Sequence, residues 1–540
     1  KNQSGFRPGD STINQLIDLV NDIHKSLRRS KAFDHRESSE VRAVFLDMSK
    51  AFDKVWHDGL LFKIAQNGVS GPVLKLLRNY LSNRKQRVVL NGSSSDYHLI
   101  QSGVPQGSIL GPLLFLIYIK DLENGIKSKI KFFADDTMLF SIVNNAAITA
   151  EELNHDLQII SNWAHQWKMS FNPEATKQAI EDLFSQKKTS VNHPPLFFNG
   201  SIVVSKPSHK HLGLILDSKL TFTEHINDKI KTAKRYIGIL KFLSNYLPLK
   251  TLDQIYKMYV RPHLDYGDVI YHIPQSQSIF DSSISLHPLM ERVEQVQYQA
   301  ALAITGCWRG SNRIKIYDEL GWETLSDRRW CRRLIQLFKI RNNMTPQYLN
   351  NNLPPLQSGS LRYNDVTKYR EISCNTTRCK NSFFPDSIRS WNLVGVDFCS
   401  TLSIAVFKKN ITNLIRSKPR PIFGISDSMG IKFIFQLRLG LSPLKFHKKK
   451  HNFLDTPEDL CDCRSACEDT AHFLFTCDIH NAARLTHRTA VLDILLPKKM
   501  LYLISYTDLY LYGHSSLSLI ENRNIVLSTI KFIKESNRFS

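Results

Sequence analysis

Apolar residues recur at helical spacing from Ile13 to Leu27, behind a Ser11-Thr12 pair that can cap a helix start. The pattern then changes to a continuous apolar run, "VRAVFLDMS", which reads as a buried strand ending at Asp47. "HDGLLFKIAQNG" reads as a short helix stopped by Gly68, and Pro72 suits the first turn of another helix running to about Leu81. "QRVVLNGSSSDYHLIQ" predicts a hairpin with Asn91-Gly92 at its turn. In "GVPQGSILGPLLFLIYIKDL" a tight Gly/Pro loop runs into an apolar helix. "KIKFFADDTMLFSIV" is apolar, acidic, apolar. Phe, Ile and Thr favour strands, so the segment predicts two short strands joined at Asp135-Asp136. Leu153, Leu157, Ile160, Ala164 and Trp167 share one face of a helix over residues 151–169. "HLGLILDSKLTF" is a second hairpin-like element, and from about Phe222 to Thr305 the chain reads as mostly helical. Residues 306–440 mix helices with loops such as "NNNLPPLQSGS", which has the composition of a linker.

Composition narrows the class. The chain has 540 residues, room for several domains, and 42% of them are hydrophobic, enough for ordinary packed cores. The formal net charge is +22, spread along the whole length, which points to a polyanionic partner, most often nucleic acid. No apolar run approaches the ~18–20 residues that span a bilayer, so no membrane partner is expected. The chain opens on Lys1, with no signal peptide, and goes straight into "KNQSGFRPGDSTINQL". That reads as the middle of a domain, so further sequence is expected upstream.

The chemistry sits in the acidic residues. Adjacent carboxylates in an apolar setting repel each other and resist burial. A solvent-facing β-turn is the ordinary place for Asp, but it does not explain the aromatic strands flanking Asp135-Asp136, nor Asp47 directly after "AVFL". Carboxylates converging on sheet ends can hold Mg²⁺, which prefers hard oxygen ligands and often binds substrate phosphates as well. Two such ions support phosphoryl transfer by serving the attacking and leaving oxygens.

These stretches resemble the reverse transcriptases of non-LTR (LINE-type) retrotransposons of the jockey/CR1-like kind. "AVFLDMSKAFDKVWHDGLL", "GVPQGSILGPLLFLIYIKDL" and "FFADDTMLF" are similar to the three palm motifs of that family, in family order. "GFRPGDST" resembles its fingers motif, and "YLSNRKQRVVLNG" the element before the second palm motif. "WAHQWKMSFNPEATKQAIEDLFSQKK" and "KHLGLILDSKLTF" resemble the last two polymerase motifs. The resemblance covers residues 1 to about 230. It implies an α+β right-hand polymerase of fingers, palm and thumb with an antiparallel palm sheet. The expected domains are fingers and palm over 1–225, a helical thumb over 226–305, a connector over 306–440, and a Cys/His-containing C-terminal domain over 441–540.

Carried over by position, Asp47, Asp135 and Asp136 would ligate two Mg²⁺ ions. Phe52 would lie under the sugar of the incoming nucleotide and select dNTP over NTP; without the motif it reads as a core Phe. Gln106 and Gly107 would lie near nucleotide and template, Gly allowing close backbone approach. Arg7 would contact triphosphate or template as a planar multidentate donor, although a solvated loop Arg is an equal reading. Lys177 would be the general acid toward pyrophosphate, in a motif where Ala175 stands at a position that many relatives fill with Lys. Leu212 and Gly213 would form the primer grip. The partners implied are template RNA, a DNA primer or target, dNTPs and an upstream endonuclease domain absent from this chain. The setting implied is nuclear synthesis with a cytoplasmic ribonucleoprotein stage.

Nine Cys occur, none before Cys307, and four crowd into "CDCRSACEDTAHFLFTC". Such clustering favours a local metal site over a secreted disulfide framework. Cys461, Cys463, Cys467, His472 and Cys477 are five candidates for a tetrahedral Zn²⁺, which takes four. Cys467-x4-His472-x4-Cys477 matches the back half of a CCHC knuckle, with Cys463 in front and Cys461 as its rival. Relatives in the family carry a similar Cys-rich C-terminal motif. The competing function is a catalytically inactive nucleic-acid-binding or RNA-maturation factor on the same scaffold. Retention of all three Asp argues against it.

Overall fold

A computed structural model describes residues 2–29, 40–171, 180–185, 192–274, 286–357, 368–394, 403–415, 425 and 427–539. The chain divides into two compact units: residues 1–225, 269–272 and 333–404 form the first, and 226–268, 273–332 and 405–540 the second.

The first unit follows the sequence pattern closely. Helix α1 (Thr12–Arg29) lies where the helical spacing begins, and strand β1 (Glu40–Leu46) is buried along its whole length, as its unbroken apolar run requires. Helix α2 (His57–Gln66) ends two residues before Gly68, which adopts φ 88°, and α3 (Gly71–Leu81) carries Pro in its first turn. Strands β2 (Lys85–Gln86), β3 (Val89–Leu90), β4 (Ser93–Ser94) and β5 (His98–Leu99) pair as β2–β5 and β3–β4, closed by a turn with Asn91 at φ 49° and Gly92 at φ 83°. Two consecutive left-handed residues are the signature of the Asn-Gly hairpin turn.

Helix α4 (Leu110–Ile119) is apolar and packs with α2, while β6 (Lys129–Phe133) and β7 (Asp136–Val143) form the expected hairpin. Helix α5 (Ala146–Gln166) starts five residues earlier than its apolar stripe indicates. The Asn145 side chain caps it, accepting from the backbone N–H groups of Ala147 and Ile148. Strand β8 (Ile180–Ser185) pairs antiparallel with β1. A small hairpin of β9 (Phe197–Phe198) and β10 (Ser201–Ile202) precedes β11 (Val204–Ser205). The main sheet runs β11-β8-β1-β7-β6 and is antiparallel except for the parallel β11–β8 edge. Its core joins Val44, Leu46, Leu139, Ile130 and Phe132 of the sheet to Phe115, Tyr118, Leu157, Ile160 and Trp163 of the helices.

Strands β12 (Ser208–His211) and β13 (Leu214–Asp217) form the second predicted hairpin. The segment 350–357 is better anchored than its linker composition suggests. Asn352 donates to Asp18 on α1 at 2.9 Å, and Leu356 bridges Tyr369. Residues 358–360 lie outside the described residues.

The named elements of the second unit are helices, beginning with most of α6 (Thr223–Leu243), with one isolated bridge between Leu460 and Cys467 among its described residues. Its interior buries polar groups in pairs. Glu294 accepts from the Tyr317 hydroxyl at 2.8 Å and from the Leu325 N–H at 2.9 Å, and Arg438 pairs with Glu319 at 2.5 Å. No helix among the described residues is long and apolar enough to cross a membrane.

Candidate active site and candidate metal centre

The first site grows out of strand register. In the β1–β7 ladder the last pair is Leu46 with Thr137. One residue beyond it on β1 is Asp47, and one residue before it on β7 is Asp136, so antiparallel pairing sets these two carboxylates side by side at one sheet end. Asp135 is the second residue of the two-residue turn between β6 and β7. The three charges sense one another. Burial pushes the Asp136 carboxyl up to about 6, and the charges of Asp135 and Asp47 push it the same way. Asp135 is likewise raised, first by burial and then by Asp47. Asp47, Asp135 and Asp136 therefore converge.

The turn holding the pair is strained and clamped. Ala134 adopts φ 55°, a left-handed conformation that costs a residue with a Cβ roughly 1–2 kcal/mol. One side chain holds both of its peptide groups. Gln3 Oε1 accepts from the Ala134 N–H at 2.9 Å, while Gln3 Nε2 donates to the Ala134 carbonyl at 3.2 Å. The same Oε1 accepts from the Gly5 N–H at 2.7 Å. The segment around Gln3 runs beside β6, with Ser4 N–H donating to Phe132 O and Phe132 N–H to Asn2 O, both at 2.9 Å. Gly5 lies so close that a Cβ there would sit 2.3 Å from the Ala134 nitrogen, so only glycine permits this approach. Sequence reasoning missed Gln3: nothing in its periodicity marks it, and the one signal is its place two residues before the "GFRPG" stretch.

The Gly/Pro loop is fastened to the segment after Asp47. Val104 N–H donates to Phe52 O and Gly103 N–H to Val55 O, both at 2.8 Å, and the Ser102 hydroxyl donates to Asp53 O at 2.9 Å. Gly103 has φ 94°, and a Cβ on it would meet the Asp53 backbone at 2.8 Å. Gln106 is exposed and donates to Asp53 Oδ1 at 2.8 Å, and Gly107 beside it has φ 78° and open space around it. Phe52 is half-buried. Its ring stacks on Phe115 at 4.6 Å and meets the edge of Phe6 at 5.9 Å. Arg7 is exposed and donates to Gln3 O at 3.3 Å.

Leu212 (φ 46°) and Gly213 (φ 79°) form the tip of the β12–β13 hairpin. The hairpin rests on the strand that leads to Asp47: the His209 and His211 rings lie 4.4 and 5.1 Å from the Phe45 ring. Burial pushes His209 down to about 4 and His211 to about 3, so both rings are neutral at pH 7 and pack as aromatics. Lys177 lies outside the described residues.

The second site is in the other unit. Cys461, Cys463, His472 and Cys477 place their donor atoms within 4.8 Å of one another. Cys461 Sγ lies 3.6 Å from Cys477 Sγ, and Cys463 Sγ lies 3.2 Å from His472 Nε2. His472 Nδ1 meets the Thr476 hydroxyl at 2.9 Å, which leaves Nε2 facing the sulfurs. Cys467, the central ligand of the CCHC expectation, is not in the group. Its backbone pairs with Leu460, the Cys461 N–H donates to Ala466 O at 2.9 Å, and this tight loop leaves the Cys467 thiol exposed. The loop closes through Arg464 at φ 61°. The cluster thus follows Cys-x-Cys…His-x4-Cys, a donor set that can hold a metal ion.

Residues 1–216 match the family model described as reverse transcriptase (RNA-dependent DNA polymerase). This part of the chain is thus similar to that family, and the relatives it matches are named as RNA-directed DNA polymerases of mobile elements. The chain is 30% identical to the probable RNA-directed DNA polymerase from transposon X-element of Drosophila melanogaster, over 66% of this chain and 37% of that protein. It is 31% identical to the probable RNA-directed DNA polymerase from transposon BS of the same species, over 60% of this chain and 34% of that one. With the RNA-directed DNA polymerase from mobile element jockey of Drosophila funebris it shares 32% over 51% of this chain and 30% of that one. The chain thus spans about a third of the length of these curated relatives. Among solved structures, apo telomerase from Candida tropicalis aligns over 65% of this chain and 52% of that one, at 13% identity and a TM-score of 0.30.

Proposed function

We propose that the chain is the RNA-directed DNA polymerase of a non-LTR retrotransposon, extending a DNA primer along the element's RNA with dNTPs. The observation that supports this best is the meeting of Asp47 with Asp135 and Asp136 at one sheet end, inside the family match. In this reading the five-stranded sheet is the palm of a right-hand polymerase, and the helices after Phe222 begin its thumb. The carboxylates fit Mg²⁺: they are hard oxygen donors, and a cation there would offset the burial and neighbouring charge that raise Asp135 and Asp136. Bound there, magnesium supplies the positive charge that favours an ionised primer 3′-oxygen and stabilises the departing pyrophosphate.

The other residues orient the reactants. Phe52, held by Phe115, forms a rigid wall beneath the sugar, where a 2′-hydroxyl is excluded. Gln106, held by Asp53, and Gly107 line the nucleotide and template side. Arg7 offers its guanidinium to phosphate, and Lys177 supplies a proton to the leaving pyrophosphate. The Leu212-Gly213 tip steadies the primer end, with its hairpin seated on Phe45. In the second unit the Cys/His cluster holds one structural Zn²⁺. The reaction takes place on chromosomal DNA in the nucleus, after a cytoplasmic ribonucleoprotein stage, with nicking supplied by an endonuclease.

Extension of a DNA primer on an RNA template in Mg²⁺ tests this reading. The chain extends the primer, chelation stops it, and Asp135→Ala lowers the rate roughly 10³-fold, about 4 kcal/mol of transition-state stabilisation. Unaltered extension by Asp135→Ala removes the metal assignment.

A further inference from the structure

Among the described residues, nothing covers the apolar side chains of the hairpin of strands β2 to β5. Every residue from Lys85 to Leu99 is exposed, on both faces. Val88 is 70% exposed, Val89 60%, Leu90 70% and Tyr97 60%. A two-stranded ribbon of this length is marginal in water by itself, and a bare apolar strand invites association. Its placement is nevertheless well defined. The Ile100 N–H donates to Arg84 O at 2.8 Å at the base, and the Ser95 N–H donates to Val88 O at 2.9 Å midway. Two residues beyond that base, Ser102 is tied to Asp53, the residue that holds Gln106. The ribbon therefore rises from the rim of the candidate nucleotide site.

Its charge identifies the occupant. From Lys75 to Leu99 the chain carries Lys75, Arg78, Arg84, Lys85 and Arg87 against a single acid, Asp96. Arg87 lies 4.9 Å from the centre of the exposed Tyr97 ring, and Arg84 lies 5.3 Å from that of Tyr80. Cations set around an exposed ring, here Tyr97, with a short apolar run beside them, are what single-stranded nucleic acid uses: phosphates meet the cations and unpaired bases lie on the ring. A protein strand adding to the ribbon edge would have no use for so one-sided a charge.

We propose that the ribbon 84–99 is a track for the single-stranded part of the template RNA, next to the base being copied. This rests on the polymerase reading above and adds a binding surface to it. The cations hold the phosphate backbone, and Tyr97 with Val88 to Leu90 receives the unstacked bases.

Primer extension on two RNA templates tests it, one with a single unpaired template nucleotide and one with a long 5′ overhang. The native chain shows a lower KM on the long-overhang template. Arg87→Gln combined with Tyr97→Ala raises that KM ~10-fold and leaves the single-nucleotide template unchanged. Lys85→Gln combined with Arg87→Gln, which keeps every apolar contact, moves it in the same direction and flattens its salt dependence. Equal behaviour of native and substituted chains on both templates overturns the track. So does an equal loss on both, which would make the ribbon a structural part of the site. Absence of extension by the native chain on the single-nucleotide template would instead overturn the polymerase reading.

Discussion

The two candidate metal clusters bring ligand side chains together with opposite materials. At the sheet end three hard carboxylates converge from two strands of a rigid ladder, and burial, with the neighbouring charges adding to it, raises the proton affinity of Asp135 and Asp136. In the second unit three soft thiols and an imidazole come from one short stretch, folded by a tight loop and a single helical turn. The thiols differ among themselves: burial pushes the Cys461 thiol up to about 12, so it gives up a proton on binding a metal, while hydrogen bonds with Ser465 bring Cys463 down to about 6. The carboxylates lie at the end of a ladder set by many pairings and need no metal to be placed. The thiols lie in a loop, where a bound metal would contribute to folding itself. The difference separates a site that the ladder places in advance from one that a metal would help to fold.

The comparison can be broken most severely at the thiols. Cys477→Ser, or chelation, removes the zinc altogether, and elemental analysis then falls from about one zinc per chain to none. Cys467→Ser keeps its zinc, because its thiol lies outside the cluster. Loss of zinc in Cys467→Ser would restore the CCHC arrangement. Because the thiols must ionise to bind, zinc affinity rises with pH.

The carboxylates predict a trade between stability and activity. With its carboxyl raised to about 6, the folded chain keeps a proton on Asp136 between about pH 4 and that value, where the unfolded chain has released it. Metal-free stability therefore falls as pH rises through this window. Asp136→Asn, which cannot ionise, is expected to gain about 1–3 kcal/mol at pH 7, a rise of about 2–4 °C in Tm, while extension is lost. Added Mg²⁺ raises the Tm of the native chain and not that of the variant. A variant less stable than the native chain at pH 7 would contradict the crowding.

A smaller effect separates position from chemistry. Gln3→Ala releases the strained Ala134 peptide and lowers kcat about 10-fold with little change in KM, since the side chain acts through the turn. Ala134→Gly in the same chain relieves the strain and restores part of kcat. Failure of this rescue would make Gln3 an ordinary packing residue.

Much of the first unit was legible because its elements obey local rules. The unbroken apolar run of β1, the Asn-Gly turn and Pro72 each announce their structure. The Asp positions followed from motif order, and the register explained why they meet. What stayed hidden depends on contacts distant in sequence. Gln3 reaches a turn 131 residues away. Residues 306–440 resisted reading because charges that look solvated are buried in pairs. Arg333 binds Asp386 at 2.6 Å in the first unit, and Arg438 pairs with Glu319 in the second. Among the five Cys/His candidates, spacing favoured Cys467, while the loop geometry that excludes it had no sequence signal beyond Arg464, an unlikely residue for a left-handed position.

The most direct test of the account is Mn²⁺ binding, followed by electron paramagnetic resonance, with a primer, an RNA template and a dNTP present and the primer ending in a 3′-deoxy sugar so that no turnover occurs. The account predicts a saturable signal from bound Mn²⁺ in the native chain and its loss in Asp47→Ala and in Asp135→Ala, with the zinc content unchanged. Equal binding in all three chains would show that Asp47 and Asp135 do not share a metal site, and would contradict the central claim.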